Sequence, residues 1–278
     1  MERCRKIGIF GGEGDKAKEC VNKIVSKLRN MGVETLLDED LQGGIENCGL
    51  DIGLSVGGDG TFLKTVAKVN KKNIPILGVN TGNLGFLADV KVEFVEIVLE
   101  SVLSGKFTIE ERVILRLSTE KRFFRGFNYA LNEIAILKRD SSAMITIDTW
   151  LDNEFFTSYR ADGLIVATPT GSTAYSMSAG GPIVSPLCAC TLLAPVAAHS
   201  LSVRPLVVPD LTTIKLKVTS RSDTFLIALD GRSEVFPAGM ELQIDKAAFS
   251  AKVVKPLGMS FYKTLREKLG WSANAANS

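Results

Sequence analysis

The sequence predicts an α/β N-terminal domain with a parallel, Rossmann-like sheet, then an all-β C-terminal domain and a final helix packing back on the first domain. Up to Leu103, β-type runs alternate with amphipathic helical runs, which is typical of a parallel sheet flanked by helices. From Ile109 onward, short β-rich runs separated by turn residues predict antiparallel strands. Helical spacing returns at Ser260–Leu269, so the predicted divisions are 1–108, 109–258 and 259–278.

The first domain is expected to alternate from its first strand onward. Short apolar runs bounded by glycine, proline or acidic residues predict strands, and longer runs with apolar residues at helical spacing predict helices. The last helix is followed by Ser104-Gly105, a typical helix stop. In chain order the predicted elements are strand Lys6–Phe10, helix Asp15–Met31, strand Val33–Asp38, strand Asp51–Val56, helix Thr61–Asn70, strand Ile74–Val79 and helix Phe94–Leu103.

The second domain is expected to consist of short strands separated by turns. Between them, the small-residue segment Gly171–Gly181 is expected to hold a short helix, and the tail Ser272–Ser278 is expected to be loose. The predicted strands are Leu115–Leu117, Phe123–Leu131, Glu133–Leu137, Met144–Leu151, Glu154–Arg160, Leu164–Ala167, Thr213–Val218, Phe225–Leu229 and Glu241–Ile244.

Composition and charge exclude several classes of protein. The 278 residues, of which 45% are hydrophobic, can bury large cores. The 33 basic and 31 acidic residues nearly balance, and no basic run is interleaved with aromatic residues, so nucleic acid is not an expected partner. The longest apolar stretch, around Leu187–Ala198, is too short to span a bilayer, and the charged N-terminus lacks a signal-peptide core. We therefore expect a cytoplasmic protein with no membrane partner.

The cysteines and the single histidine do not form a metal-binding pattern. The number of cysteines is odd, five, and the closest pair, Cys188 and Cys190, lacks the two-residue spacer of common zinc sites. We expect reduced, mostly buried thiols. His199 is the only histidine and lies among small apolar residues, so we expect it to be buried and hydrogen-bonded rather than catalytic.

The most informative motif is the loop Gly57-Gly58-Asp59-Gly60-Thr61, between a predicted strand and a predicted helix. Its glycines allow a ligand to approach the backbone closely, and the helix N-terminus presents free N–H groups to a phosphate. Gly58, Gly60 and Thr61 are therefore candidate nucleotide-binding residues. A carboxylate there repels phosphate unless it binds a metal, accepts a proton or is held by a hydroxyl, so Asp59 is expected to take part in the chemistry.

Two further loops follow strands of the same predicted sheet. Asn80–Leu87 is expected at the same carboxyl edge as the Asp59 loop, where Phe86 can either stack on a base or fill the core. Gly12-Glu13-Gly14 follows the first strand and Asp38 ends the second, as in a dinucleotide fingerprint. This second pattern is an alternative that indicates a NAD-binding oxidoreductase.

Polar residues in the second domain also indicate a binding site. Asn132 and Glu133 are adjacent in a predicted strand, where they either bond ribose hydroxyls or face solvent on an edge strand. The segment Thr168–Ser178 is the densest cluster of small hydroxyl residues and can bond a phosphate or a polyhydroxyl ligand. The candidate binding residues of this domain are Asn132, Glu133, Asp162, Thr170, Gly171, Ser172, Thr173, Ala174, Tyr175 and Ser178.

These segments together resemble the NAD kinase family in order and spacing, over roughly Asp51 to Gly231. The string Thr168–Tyr175 is the most specific part, whereas the Asp59 loop alone is shared with lipid kinases and phosphofructokinase relatives. The segments that carry the resemblance are Gly57–Thr61, Asn132-Glu133, Asp162-Gly163, Thr168–Tyr175, Gly180-Gly181-Pro182, His199-Ser200-Leu201 and Asp230-Gly231.

The resemblance implies ATP-dependent phosphorylation of the adenosine 2′-hydroxyl of NAD⁺, with a divalent metal, expected to be Mg²⁺, between an α/β nucleotide-binding domain and a β-rich NAD-binding domain. It implies that Asp59 is the base or a metal-side acid. It further implies that Asn132 and Glu133 bind the adenosine ribose or the nicotinamide side. Asp162 would bind the amide or ribose region of NAD⁺ and Thr173–Tyr175 the adenine end. Asp230 is a further, less specifically implied binding residue. A homodimer or homotetramer is expected.

The chain departs from the family pattern in two places, and alternatives stay open. Ala194–Ala198 replaces a segment that usually holds cysteine and proline before the histidine, and Ala167 stands where serine is common. A lipid kinase of the diacylglycerol kinase type would use Asp59, and a NAD-binding sensor would use only the binding residues. The sequence does not choose between ATP, another nucleotide and polyphosphate as donor, or decide whether NADH is accepted.

Overall fold

The computed structural model describes residues 6–41, 45, 48–69, 72–139 and 144–271. It forms two compact units. The first combines the described residues up to Glu111 with those from Ala251 onward, and the second is Arg112–Ser250. The predicted fold class, an α/β unit with a parallel sheet and an all-β unit, is confirmed. No helix within the described ranges is both long and apolar enough to cross a bilayer.

The strands and helices of the described residues are numbered in chain order. The strands are β1 (Lys6–Gly11), β2 (Glu34–Leu37), β3 (Ile52–Gly57), β4 (Ile76–Asn80), β5 (Val90–Lys91), β6 (Phe107–Arg112), β7 (Leu115–Thr119), β8 (Tyr129–Ala130), β9 (Glu133–Lys138), β10 (Ile145–Leu151), β11 (Glu154–Ala161), β12 (Gly163–Ala167), β13 (Cys190–Val196), β14 (Leu206–Pro209), β15 (Ile214–Thr219), β16 (Thr224–Leu229), β17 (Arg232–Pro237), β18 (Glu241–Lys246) and β19 (Ala251–Pro256). The α-helices are α1 (Asp15–Asn30), α2 (Asp59–Val69), α3 (Val95–Leu103), α4 (Tyr175–Ser178) and α5 (Phe261–Leu269).

The first unit is built on a sheet of order β2-β1-β3-β4-β19-β6, with β5 beside β4. Its pairs from β2 to β4, and those of β4 with β5 and β19, are parallel. Every residue of β3 and β4 is buried, because helices cover the sheet faces and leave no room for an alternating polar face. The buried face of α1, with Cys20, Ile24 and Leu28, contributes to this core.

The second unit consists of two six-stranded antiparallel sheets, of orders β11-β10-β15-β18-β7-β8 and β14-β13-β12-β9-β16-β17. The inward faces of both sheets form one core, in which Phe225 and Phe236 are the largest fully buried side chains. The central position of β9 and β12 fixes where the polar residues at their ends lie. The segment after β12 contains a 3₁₀ turn, Thr170–Thr173, and α4, in agreement with the short helix predicted there.

The predicted strand Phe123–Leu131 is wrong for most of its length. Phe124 and Arg125 have φ angles of 51° and 50°, in the left-handed region, so the chain turns there instead of extending. A 3₁₀ turn covers Phe124–Gly126, and only Tyr129–Ala130 pairs as a strand. The aromatic side chains that predict a strand here instead pack a turn against the core.

Six strands of the described residues are absent from the sequence-based prediction: β5, β6, β13, β14, β17 and β19. The strand β13 is buried along Thr191–Pro195 and therefore shows no alternation, which is the signal used for half-buried strands. The strand β19 lies in the sheet of the first unit, although residues 251–258 were placed in the β domain by the sequence. Asn70, at the end of the predicted second helix, and the tail Ser272–Ser278 lie outside the described residues.

The expectation that His199 is buried is wrong, and so is the expectation that most cysteines are buried. His199 is exposed, and its backbone N–H donates to the carbonyl oxygen of Arg160 at 2.9 Å. Among the described cysteines, all free thiols, Cys20 is buried, Cys48 and Cys190 are half-buried and Cys188 is exposed. Cys4 lies outside the described residues. The small apolar neighbours of His199 do not enclose it, because Ala197 has a φ of 47° and the chain turns at the end of β13.

Candidate active site

Asp59 begins α2, directly after β3, and three successive backbone N–H groups hold its carboxylate. Phe86 donates to Oδ2 at 2.9 Å, and Leu87 and Ala88 each donate to Oδ1 at 3.0 Å. The loops after β3 and β4 therefore meet at the carboxyl edge of the parallel sheet. Oδ1 accepts two bonds and Oδ2 one, so Oδ2 keeps an acceptor position for a proton or a metal. The Asp59 side chain is 30% exposed.

Glycines determine how closely the two loops approach. A Cβ built on Gly85 would collide with the Asp59 carboxylate, so only glycine lets the loop after β4 reach it. A Cβ on Gly57 would likewise collide with the side chain of Thr61. At Gly58 and Gly60, in contrast, a Cβ would meet open space. The glycines of the Asp59 loop thus divide into one required for packing and two that leave the backbone accessible.

Phe86 is half-buried and contacts the C-terminal helix of the same unit. Its ring centroid lies 6.4 Å from that of Phe261, and the Nζ atom of Lys268 lies 4.5 Å from the Phe86 centroid. The same Nζ atom is 4.0 Å from Oδ2 of Asp59. Lys268 is therefore a cation beside the carboxylate that the sequence motifs did not reveal, because it lies far along the chain in an ordinary amphipathic helix.

A second carboxylate, Asp230, holds three successive backbone N–H groups in the other unit. Leu131 donates to Oδ2 at 2.7 Å, and Asn132 and Glu133 donate to Oδ1 at 2.8 and 3.2 Å. Asp230 has a φ of 48°, and the following Gly231 also has a left-handed backbone. Burial raises the pKa of Asp230, although the N–H donors and Arg232 act in the opposite direction. Its oxygens face the protein backbone, so Asp230 positions the Asn132-Glu133 pair.

Asn132 and Glu133 each keep a buried oxygen without a protein partner within the described residues, Oδ1 and Oε2 respectively. Buried polar atoms are nearly always hydrogen-bonded, so these two are available to a ligand or to water. Burial, and then the charge of Asp230, raises the pKa of Glu133 to about 7, and the backbone N–H of Tyr175 opposes this shift. Near neutral pH the carboxyl group therefore exists in both forms and can donate or accept a hydrogen bond.

Two hydroxyl groups of the segment after β12, those of Thr168 and Ser172, fasten it to the neighbouring backbone. Thr168 Oγ1 donates to Leu131 O at 2.6 Å and accepts from Gly171 N at 3.1 Å. A Cβ on Gly171 would collide with the backbone of Asn132, so glycine is needed for this close packing. Ser172 Oγ bonds the backbone of Val184 in both directions. These residues build the site rather than presenting their hydroxyls.

The remaining predicted residues of this segment lie nearer the surface. Tyr175 is 39% exposed and Ser178 is exposed, while Thr173 and Ala174 are half-buried. Thr170 is buried and accepts from Arg112 Nη1 at 3.4 Å. Sequence reasoning did not single out Ser176, whose buried Oγ also has no partner within the described residues.

Both units match models of one protein family. Residues 13–107 match the ATP-NAD kinase N-terminal domain, and residues 131–256 match the ATP-NAD kinase C-terminal domain. The chain belongs to the NAD kinase family.

Curated relatives agree along almost the whole chain. A NAD kinase of Bacteroides fragilis is 50% identical over 246 residues, which is 88% of this chain and 83% of that protein. A NAD kinase of Christiangramia forsetii is 39% identical over 293 residues, covering 98% of this chain and all of that protein. Neither the lipid kinase nor the oxidoreductase alternative receives support from these relatives.

Two solved structures of NAD(H) kinases share the fold. Yeast NADH kinase complexed with NADH has a TM-score of 0.87 and 25% identity, covering 100% of this chain and 91% of that chain. A NAD kinase from Archaeoglobus fulgidus in complex with ATP has a TM-score of 0.77 and 30% identity, with 96% and 97% covered.

The Asp59 carboxylate can be compared with the needs of the divalent metal that the family resemblance implies. The described part of the chain holds no group of three or more His, Cys, Asp or Glu residues placed to bind a metal together. Mg²⁺ is usually held by one or two carboxylates plus substrate phosphates rather than by an all-protein cage. The free acceptor position on Oδ2 of Asp59 therefore fits a metal that is carried mainly by the nucleotide.

The structure separates Asp162 from the other polar residues of the second unit. It precedes β12, whereas Asn132 and the hydroxyl segment lie near the opposite end of that strand, where Ala167 pairs with Glu133. The Asp162 carboxylate pairs with Lys138 Nζ at 2.6 Å. Within this unit, Asp162 and the Asn132 group are thus not brought together.

In the alternative dinucleotide pattern of the first unit, the acidic residue that would bind the ligand is already paired with a lysine. Asp38, which would have to bind a ribose, forms an ion pair with Lys68 of α2. A cavity of about 420 Å³ beside it is lined by Gly12, Lys18 and Asn22 among others. A residue paired in this way does not present the free carboxylate that ribose recognition requires.

Proposed function

We propose that the chain transfers the γ-phosphate of ATP to the adenosine 2′-hydroxyl of NAD⁺ and forms NADP⁺ and ADP. The observation that carries this proposal is the carboxylate of Asp59, fixed by three backbone N–H groups directly after a glycine-rich loop. Two solved relatives add support, since one was crystallised with NADH and the other with ATP.

The proposed chemistry requires little of the protein beyond alignment, charge neutralisation and the removal of one proton. The 2′-oxygen bonds the γ-phosphorus while the bond from that phosphorus to the β,γ-bridging oxygen breaks, and ADP leaves with the electron pair. Oδ2 of Asp59 has the acceptor position that takes the hydroxyl proton. A base of this kind typically contributes about 10²- to 10⁴-fold to the rate.

The proposed NAD⁺-binding residues are those of the second unit. Asn132 Oδ1 and Glu133 Oε2 support this assignment, because both are buried oxygens without a protein partner within the described residues. An adenosine ribose or a nicotinamide amide would supply the missing donors. We assign to the same ligand Thr170, Thr173, Ala174, Tyr175 and Ser178, with Gly171 and Ser172 shaping the site and Asp230 positioning the pair. The binding role of Asp162, at the other end of β12, stays a prediction.

The proposal extends to the metal, the location and the assembly. Mg²⁺, carried mainly by the nucleotide, would neutralise the phosphates when bound, which leaves Oδ2 of Asp59 to the hydroxyl proton. A cytoplasmic location is proposed because the described cysteines are free thiols, as in proteins kept in a reducing compartment. A homodimer or homotetramer is supported by the edge strands β11 and β14, since sheet edges carry unpaired backbone groups that assembly can cover.

The experiment that tests the proposal measures NADP⁺ formation from NAD⁺, ATP and Mg²⁺ with a coupled NADP-specific dehydrogenase. Wild type is expected to form NADP⁺, and Asp59→Asn is expected to lose about 10²- to 10⁴-fold in kcat while still binding NAD⁺. The reason is that the amide cannot take the hydroxyl proton.

Asp38→Asn is the matched control, because it makes the same chemical change after another strand of the same sheet. It is expected to keep wild-type turnover. Wild-type turnover in Asp59→Asn would refute Asp59 as the base. If the wild-type protein forms no NADP⁺ when ATP is supplied, ATP is refuted as the donor. A loss confined to Asp38→Asn would support the dinucleotide pattern instead.

A further inference from the structure

We propose that Lys268, in the last turn of α5, binds a terminal phosphate of the donor nucleotide and so lets an anion approach Asp59. This inference rests on the proposed function and adds to it a residue from the C-terminal helix. The ligand chemistry is a nucleoside triphosphate or another linear polyphosphate.

The position of the Lys268 ammonium group is the first argument. Its Nζ atom lies 4.0 Å from Oδ2 of Asp59, the carboxylate oxygen that accepts only one backbone N–H bond. This separation is an ion-pair distance but is too long for a direct hydrogen bond, so Asp59 does not take up a donor of the ammonium group. An ammonium has three donors, so it can serve a phosphate oxygen while remaining beside the carboxylate.

The direction of the side chain is the second argument. Lys268 is 34% exposed, and its Nζ atom lies over the ring of Phe86, 4.5 Å from the centroid. A cation over an aromatic face is attracted to it, which restricts an otherwise flexible side chain. The Phe86 backbone N–H also holds Asp59, so one loop residue orients both the carboxylate and the cation.

The helix that carries Lys268 is well anchored within the first unit. Ser260 caps its N-terminus by accepting from the backbone N–H of Lys263, and Gly270 ends it with a φ of 69°. The ring of Phe261 contacts the ring of Phe86, and Oε2 of Glu267 lies 3.9 Å from Nζ of Lys91. Lys268 is thus supplied by a defined element instead of a loose terminus.

The charges around Asp59 are the third argument. A carboxylate repels a triphosphate, so a nearby cation is needed where the two must meet. The lysines of α2 are engaged with other acids, because Lys64 pairs with Glu13 and Lys68 with Asp38. Lys268, in contrast to these two lysines, forms an ion pair with Asp59.

The kinetic test compares Lys268→Met with Arg266→Met, which removes one positive charge from an exposed residue of the same last turn. For Lys268→Met we expect the KM for ATP to rise about tenfold or more and kcat to fall about tenfold, with the KM for NAD⁺ unchanged. Lys268→Arg is expected to recover much of the loss, since it restores a cation. Arg266→Met is expected to behave as wild type.

A binding test separates this inference from the proposed function. Calorimetry with inorganic tripolyphosphate is expected to show about tenfold weaker binding to Lys268→Met than to wild type and to Arg266→Met. This comparison remains decisive even if wild type forms no NADP⁺. Equal tripolyphosphate affinity in wild type and Lys268→Met would overturn the inference. If Lys268→Met lowers the unfolding temperature more than Arg266→Met does, Lys268→Gln takes its place in both tests.

Discussion

Asp59 and Asp230 bind the backbone in the same way in two different units of the chain. In each case Oδ2 accepts the first of three successive N–H groups and Oδ1 accepts the second and third. The residues held by Asp59 are Phe86–Ala88, whereas those held by Asp230 are Leu131–Glu133. At Asp59 the carboxylate itself is the proposed reactive group, while at Asp230 the strand that it holds carries the polar side chains.

The difference lies in the charged surroundings of the two carboxylates. Asp59 has a cation, Lys268, beside its less occupied oxygen. Asp230 has both the carboxyl group of Glu133 and the guanidinium group of Arg232 nearby, and burial raises the pKa of both carboxyl groups. The comparison teaches that one backbone motif can either orient a reactive group or position its neighbours, and the surrounding charges indicate which.

The largest expected effect comes from breaking the contact at Asp59 without changing Asp59. In Gly85→Ala the new Cβ collides with the carboxylate, so the loop after β4 must move away. We expect kcat for NADP⁺ formation to fall by at least about 100-fold, because a misplaced base and phosphate lose alignment. The coupled NADP⁺ assay measures this effect.

Gly82→Ala is the control for this substitution, since a Cβ there meets open space in the same loop. It is expected to retain wild-type kcat. Equal activity in the two variants would show that the fixed geometry of Asp59 is unimportant for the reaction.

An intermediate effect is expected at Asp230. Asn tolerates the left-handed backbone at this position, but its amide NH₂ cannot accept the N–H bonds that one carboxylate oxygen receives. We expect Asp230→Asn to lose about 1–3 kcal/mol of stability and to raise the KM for NAD⁺ more than it lowers kcat. Chemical denaturation and steady-state kinetics measure the two effects.

Asp223→Asn is the matched control, because Asp223 is an exposed aspartate with a φ of 55° in the preceding turn. It should change neither stability nor KM. A fall in kcat alone in Asp230→Asn would contradict a purely positioning role and assign Asp230 to the chemical step.

The smallest expected effect is the pH dependence of stability at Glu133. Folding raises its pKa from 4.5 to about 7, so the native state binds more protons than the unfolded state between these values. The associated stability is fully present below about pH 4.5 and is lost as the pH rises through about 7. Glu133→Gln removes the ionisation, so at pH 8 we expect it to be more stable than wild type by about 1–3 kcal/mol.

The two proteins should converge in stability as the pH falls toward 4.5, which denaturation curves at several pH values will show. Glu241→Gln, at an exposed strand position, provides the comparison for a simple loss of charge. A stability difference for Glu133→Gln that does not vary with pH would argue against a raised pKa as its cause.

The sequence predicted the elements of the first unit well because their periodicity is strong. Helix α1 and strands β1, β3 and β4 lie within a residue or two of the predicted bounds. The motif around Asp59 and the segment after Ala167 also predicted the family, since both depend on residue types in consecutive positions.

Long-range contacts escaped prediction for a physical reason. Nothing local distinguishes Gly85 or Lys268, because their importance arises only from folding against Asp59. The strand β13 was missed because burial on both faces removes alternation, and Phe124 turns where its side chain favours a strand. The exposed position of His199 likewise depends on where β13 ends.

The insertion of β19 between β4 and β6 has a consequence for synthesis on the ribosome. The central sheet of the first unit remains incomplete until residues 251–256 have been made, after the whole of the second unit. The sheet of the first unit is therefore completed only after the second unit has been synthesised. Until then, the strand edges that pair with β19 stay exposed. The two parts of the first unit are separated in sequence by more than a hundred residues. Bringing them together closes a long loop, and the entropic cost of this loop closure slows folding.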